Sequence, residues 1–115
     1  MTGSSSAMGL LYTTWPDAQS AQSAAEALLS ENLIACANIL GEARSVFRWN
    51  GEVQHESEII ALFKTSAGAA AQTAQRIADL HPYDEPAVLN LAVDPSGSSA
   101  AFLAWVASET GGPPR

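Results

Sequence analysis

The chain is poor in positive charge, in cysteine and in long apolar runs, and each shortage narrows what it can do. Five Lys and Arg stand against twelve Asp and Glu, a formal charge of −7. A protein that grips a phosphate backbone needs the reverse balance, because its affinity comes from cationic side chains displacing counterions. Nucleic acid is therefore not an expected partner. The single cysteine, Cys36, rules out an internal disulfide and places the expectation in a reducing cytoplasm. No apolar run approaches the roughly 20 residues of a membrane-spanning helix, so no membrane partner is expected either. Residues 1–9 are small and polar, without the basic start and apolar centre of a secretory signal, and read as a flexible tail.

What is present is apolar content for one core. At 115 residues, 47% hydrophobic and 15% charged, the chain reads as a single packed domain over residues 10–110, with a second tail at 111–115. Much of the apolar count is alanine, which buries little area, so contacts between subunits would offset a thin core.

The local signals come in a readable order. Leu10 to Trp15 favours extended structure and ends at Pro16. Asp17 is placed as a helix N-cap, followed by Ala18, Ala21, Ala25, Leu28 and Leu29 at helical spacing. Ile34 to Trp49 reads as a long strand interrupted near Gly41-Glu42. Asn50-Gly51 is a two-residue hairpin turn, with a return strand from Glu52 to Thr65 that is polar near the turn and apolar beyond it. Ser66 to Leu80 is a second helix, stopped by the prolines of His81-Pro82-Tyr83-Asp84-Glu85-Pro86. Ala87 to Val93 is a short strand, and Ser98 to Glu109 a third helix in which Trp105 is assigned to the core. The order defines an α+β, ferredoxin-like β-α-β-β-α-β sandwich with an additional C-terminal helix and a long central hairpin, its helices on one face of an antiparallel sheet.

Several segments in register resemble the CutA family of divalent-cation tolerance proteins: Thr14-x-Pro16-Asp17, Ala35-Cys36-Ala37-Asn38-Ile39, Phe47-Arg48-Trp49-Asn50-Gly51-Glu52, Glu58 before a strand ending Lys64-Thr65, Leu80-His81-Pro82-Tyr83 with Pro86, and Phe102-Leu103-x-Trp105-Val106. The resemblance implies a compact homotrimer in which the long hairpin reaches neighbouring subunits. It also implies a response to copper and other divalent ions, an architecture like the P-II signalling proteins, no organic cofactor and no catalysed reaction. Against the family pattern, Trp15 stands where a small residue or cysteine is often found, and Ala87 where glutamate is common. Either change removes a conceivable metal ligand.

For divalent metal, the candidate ligands are Cys36, His81, Glu58, Asp84 and Glu85. Cys36 and His81 are soft and borderline donors, but they are far apart in sequence and form no local metal motif. Cys36 reads first as a small buried hydrophobe and only then as a ligand, whereas His81 reads equally as a ligand and as a loop-fixing hydrogen-bonder. His55, among polar neighbours, is a solvated or intersubunit residue. Trp49, Tyr83, Lys64 and Arg48 are assigned to an intersubunit cleft, where Trp49 and Tyr83 serve either as pocket walls or as interface anchors. Arg48 and Lys64 either bind an anion or pair with Glu58 and Glu52.

Other functions of the same topology fail on named residues. The loop Thr14-Trp15-Pro16-Asp17 lacks the arginine and glycines of an acylphosphatase and the paired cysteines of a copper chaperone. The acidic balance opposes an RNA-recognition module. Two readings remain, a trimer that binds divalent metal and a trimer that holds a small molecule or partner segment in its intersubunit clefts.

Overall fold

The structure, a computed structural model, describes residues 7–111. Four strands and three helices follow one another as β1 Met8–Trp15, α1 Ala18–Ser30, β2 Cys36–Trp49, β3 Glu52–Ser66, α2 Ala70–Leu80, β4 Val88–Val93 and α3 Ala100–Glu109. The strands form one sheet in the order β2-β3-β1-β4, with every neighbouring pair antiparallel. This is the ferredoxin-like α+β arrangement expected from the element order.

Side chains alternate sides along a strand, which divides the sheet into two faces. Leu11, Trp15, Ala61 and Phe63 face α1 and α2, packing with Ala21, Ala25, Leu28 and Ile77. Trp15 and Phe63 are both fully buried and meet edge to face, with ring centroids 6.2 Å apart. Each contributes about 1.5–3 kcal/mol of burial. Met8 and Leu10 leave β1 on the other side and cluster with Leu103 and Val106 of α3. The third helix therefore covers the opposite face, which corrects the expectation that all helices share one. The reason lies in sequence phase: Met8, Leu10 and Val93 supply an apolar patch of the opposite parity, and α3 is the element left to cover it.

Other boundaries moved for local reasons. β1 starts at Met8, which is buried and paired with Ser66 and Val93, so the expected tail at 1–9 overlaps the first strand; residues 1–6 and 112–115 lie outside the described residues. Asp17 caps α1, its Oδ1 accepting the Ser20 amide at 2.7 Å. The buried stripe is Ala21, Ala24, Ala25 and Leu28, while Ala18 and Leu29 point to solvent. A short 3-10 turn, Ala67–Ala69, precedes α2. Ser99 caps α3 by accepting the Phe102 amide at 3.2 Å. On that helix Leu103 and Val106 are buried, whereas Trp105 is 42% exposed and rests against Phe102 with centroids 5.6 Å apart. Trp105 is not a core residue of this chain.

The long hairpin shapes the molecule. Asn50 and Gly51 take φ of 52° and 80°, both in the left-handed region that a tight hairpin turn of the primed type requires. The register between β2 and β3 shifts between Ile39 and Glu42, a bulge at the Gly41 position expected from sequence. The tip stands clear of the core: the radius of gyration is 15.0 Å, against about 13 Å for a compact domain of about 100 residues.

Candidate functional site

A groove of about 900 Å³ lies where the outer half of the hairpin, toward its turn, meets the end of β1 and the loop before β4. Its floor is one face of the hairpin: Phe47 and Trp49 of β2 with Gln54, Glu56 and Glu58 of β3. These residues alternate along their strands, so the pleat turns all five to the same side. Thr14 closes one end, and Tyr83, Asp84, Glu85 and Ala87 of the loop form the facing wall.

His81 sets the loop in place. It is buried, stacked on Trp15 with centroids 4.1 Å apart, and tilted against Tyr83 at 4.8 Å. Its Nδ1 accepts the backbone N–H of Tyr83 at 3.1 Å. Its Nε2 therefore carries the proton and donates to the carbonyl of Thr14 at 2.7 Å. Both ring nitrogens are engaged by backbone, and neither offers a lone pair to a metal.

Glu58 is the best-anchored carboxylate of the groove. The Ser45 hydroxyl donates to its Oε1 at 2.6 Å, and the Tyr83 hydroxyl approaches Oε2 at 3.4 Å. Burial holds the Tyr83 hydroxyl above its ordinary pKa, and the charge of Glu58 pushes the same way. Tyr83 is thus kept as a neutral donor. Four carboxylates line the groove, Glu56, Glu58, Asp84 and Glu85, and no Lys or Arg does.

The structure thus divides the candidate residues. Glu58, Asp84 and Glu85 of the candidate metal set line the same groove as Trp49 and Tyr83 of the candidate cleft. Cys36 does not join them: it pairs in register with Lys64, six residues along β3 from Glu58, or roughly 20 Å of strand. Lys64 also lies outside the groove, its Nζ 5.2 Å from the centre of the Phe102 ring. Arg48 is on the reverse face of the hairpin, between Phe47 and Trp49 in sequence and opposite Val53 in register. His55, exposed, shares that reverse face, since it alternates with Glu56. The expected pairings of Arg48 and Lys64 with Glu58 and Glu52 give way to other contacts, Glu58 bonding to Ser45 and Tyr83 instead. An ion pair forms elsewhere, between Arg76 and Glu31 at 2.9 Å.

Among the described residues, no group of three or more His, Cys, Asp and Glu side chains comes together to hold a metal ion. The carboxylates of the groove are spread along it and not focused on a point. Gln54, Glu56 and Phe47 were missed in the sequence. Period-two alternation from Glu58 and Trp49 was the signal that could have found them.

The profile of the family described as CutA1 divalent ion tolerance protein matches residues 9–109. The chain is 40% identical over 103 residues to the divalent-cation tolerance protein CutA of Pyrococcus horikoshii, covering 90% of this chain and 98% of the relative. Among solved structures, the divalent cation tolerance protein of Thermus thermophilus superposes with a TM-score of 0.85 at 33% identity, over 90% of this chain and 99% of that one. A periplasmic divalent cation tolerance protein CutA from Archaeoglobus fulgidus superposes with a TM-score of 0.82 at 25% identity, over 89% and 97%.

Proposed function

This chain belongs to the CutA1 divalent ion tolerance family, and from that premise we propose that it acts as a homotrimer whose acidic groove takes up divalent cations, copper(II) among them. The carrying observation is the groove itself, which Glu56, Glu58, Asp84 and Glu85 all line with no cationic side chain on the wall. Oxygen donors accept divalent ions generally, and at a given donor set copper(II) binds most tightly of the first-row divalent metals. Because one subunit does not focus its carboxylates, the proposal places completion of the metal shell at a subunit boundary.

Assembly is supported by apolar side chains left open on the single subunit. Leu40, Leu89 and Leu91 are each more than 40% exposed, and β2 and β4 are unpaired sheet edges. Monomeric proteins avoid leaving such edges open. A binding role without a catalysed reaction belongs to the same proposal. So does a cytoplasmic location, on the strength of the lone thiol, although the Archaeoglobus fulgidus relative is periplasmic. No helix among the described residues is long and apolar enough to cross a membrane.

Copper(II) titration of the wild type beside Glu58→Gln, His81→Phe and Cys36→Ala tests the metal assignment. Affinity should fall at least fivefold in Glu58→Gln and stay within twofold in Cys36→Ala. Unchanged affinity in Glu58→Gln would remove the groove from the metal reading. Light scattering tests assembly, since a mass near that of one subunit ends the trimer proposal.

The second reading, a P-II-like cleft for a small molecule, draws on one observation. Trp49 is 64% exposed within the groove, more apolar wall than an ion site needs.

A further inference from the structure

We propose that Asn50 is a self-modifying site: in the folded hairpin its side-chain carboxamide closes on the backbone nitrogen of Gly51 and loses ammonia. The chain has four asparagines, Asn32, Asn38, Asn50 and Asn90, and only Asn50 precedes a glycine. The other three precede Leu33, Ile39 and Leu91, whose side chains crowd the nitrogen that would attack. Asn50 and Gly51 are both exposed, at the tip of the hairpin. Open space stands where a Cβ of Gly51 would be, and among the described residues none accepts a hydrogen bond from the Gly51 N–H.

The turn also brings Asn50 close to the conformation of the ring product. Closing a five-membered ring puts the Gly51 nitrogen on the same side as the Asn50 Cβ. That fixes ψ of Asn50 at about −120°, the value at the first central residue of a type II′ turn, where φ is about +60°. Asn50 already holds φ of 52°. With positive φ at both central residues the turn is of type I′, so ring closure needs one rotation of the Asn50–Gly51 peptide plane. The change falls on Gly51, whose φ passes from 80° to about −80°, and glycine adopts both. Types I′ and II′ both match the strand twist, so Trp49 and Glu52 stay paired during the rotation.

In the reaction, solvent base takes the Gly51 N–H proton and the nitrogen bonds to Asn50 Cγ. The Cγ–Nδ2 bond breaks, and ammonia leaves with a proton returned to it. Water then opens the succinimide at one of its two carbonyls. Attack at Cγ leaves aspartate, which tolerates the left-handed region and keeps the turn. Attack at the backbone carbonyl leaves isoaspartate, in which the chain runs through Cβ and gains a methylene. A two-residue connection lengthened in this way no longer holds Trp49 opposite Glu52. Because Trp49 lines the groove, this product carries the change from the turn to the groove wall.

Ageing the intact protein at mildly alkaline pH, then mapping its peptides by mass spectrometry, tests the site. Conversion at Asn50 should run at least tenfold faster than at Asn32, Asn38 or Asn90 and should accelerate as pH rises. Gly51→Ala should slow it at least tenfold. The folded protein should convert no more than threefold slower than a synthetic peptide of residues 45–56, because the hairpin holds Asn50 near the ring conformation. A larger protection by the fold, or equal rates at all four asparagines, would overturn the proposal. The Trp49 indole resonance should shift in the isoaspartyl fraction and stay in place in Asn50→Asp. An unmoved resonance in the isoaspartyl fraction would overturn the link to the groove.

Discussion

His81 bridges Thr14 and the groove loop: its Nε2 donates to the Thr14 carbonyl at 2.7 Å while its Nδ1 accepts the Tyr83 amide at 3.1 Å. The ring is a strut between the end of β1 and the wall of the groove. His81→Phe retains a ring to stack on Trp15 but strands a buried carbonyl and an amide. The expected loss is about 1–3 kcal/mol of stability, read from denaturant unfolding. His81→Ala removes the stacking as well and should cost more. If either variant unfolds at the wild-type midpoint, the strut role is wrong. Any fall in cation affinity in His81→Phe should be matched by a shifted Tyr83 amide resonance, because the histidine acts through the loop.

The Tyr83 hydroxyl ionises above its ordinary value because it is desolvated and faces Glu58, with Glu56 and Asp17 adding to the effect. A proton held more firmly in the folded state than in the unfolded state gives stability present below the unfolded value of about 10. That stability is lost as pH rises through the folded value. Tyrosinate absorbance in a Tyr12→Phe background should therefore titrate above an unperturbed phenol. Glu58→Gln should bring the transition back toward it. A Tyr83 transition at the ordinary value in the wild type would contradict the geometry of Glu58 and Tyr83.

Gly51 takes φ of +80° at the hairpin turn, with open space where a Cβ would stand. The cost of Gly51→Ala is therefore conformational rather than steric, about 1–2 kcal/mol. Thermal unfolding checks it. Groove-dependent copper affinity should change little, since Gly51 does not line the groove and the groove carboxylates begin at Glu56, four residue pairs from the turn.

These residues also show what could be read in advance. Asn50-Gly51, Asp17 and the bulge near Gly41 are local signals: backbone conformation at a few adjacent residues decides them, and the structure agrees at all three. The face covered by α3 depended on the parity of Met8, Leu10 and Val93, three positions on two strands whose register no short segment encodes. Trp105 was misplaced for a related reason. A helix rich in apolar residues on every side gives no phase, so nothing in Phe102-Leu103-x-Trp105-Val106 says which two side chains face inward. The site was half legible. Glu58, Asp84, Glu85, Trp49 and Tyr83 do converge, while Cys36 and His81 were grouped by donor chemistry although one pairs with Lys64 and the other is spent on backbone.

Gly9 sits in β1 between Thr65 on β3 and Ala92 on β4, at a point where the sheet meets the start of α2. A Cβ there would lie 2.9 Å from Asn90 Oδ1 and 3.2 Å from the Ala70 Cβ. The first distance is shorter than real contacts allow, and the second presses on a buried helix residue. Gly9→Ala should therefore destabilise by about 1–3 kcal/mol, the range for overpacking. The two neighbours differ in how they can respond. Asn90 is exposed and its side chain can turn away, whereas Ala70 moves only with its helix. Asn90→Ala should then recover part of the loss in the double variant, giving a coupling that a pair of independent sites would lack. Chemical denaturation of the wild type, both single variants and the double variant measures it. Strict additivity would show that the pressure falls on Ala70 and that α2, not Asn90, fixes glycine at this position.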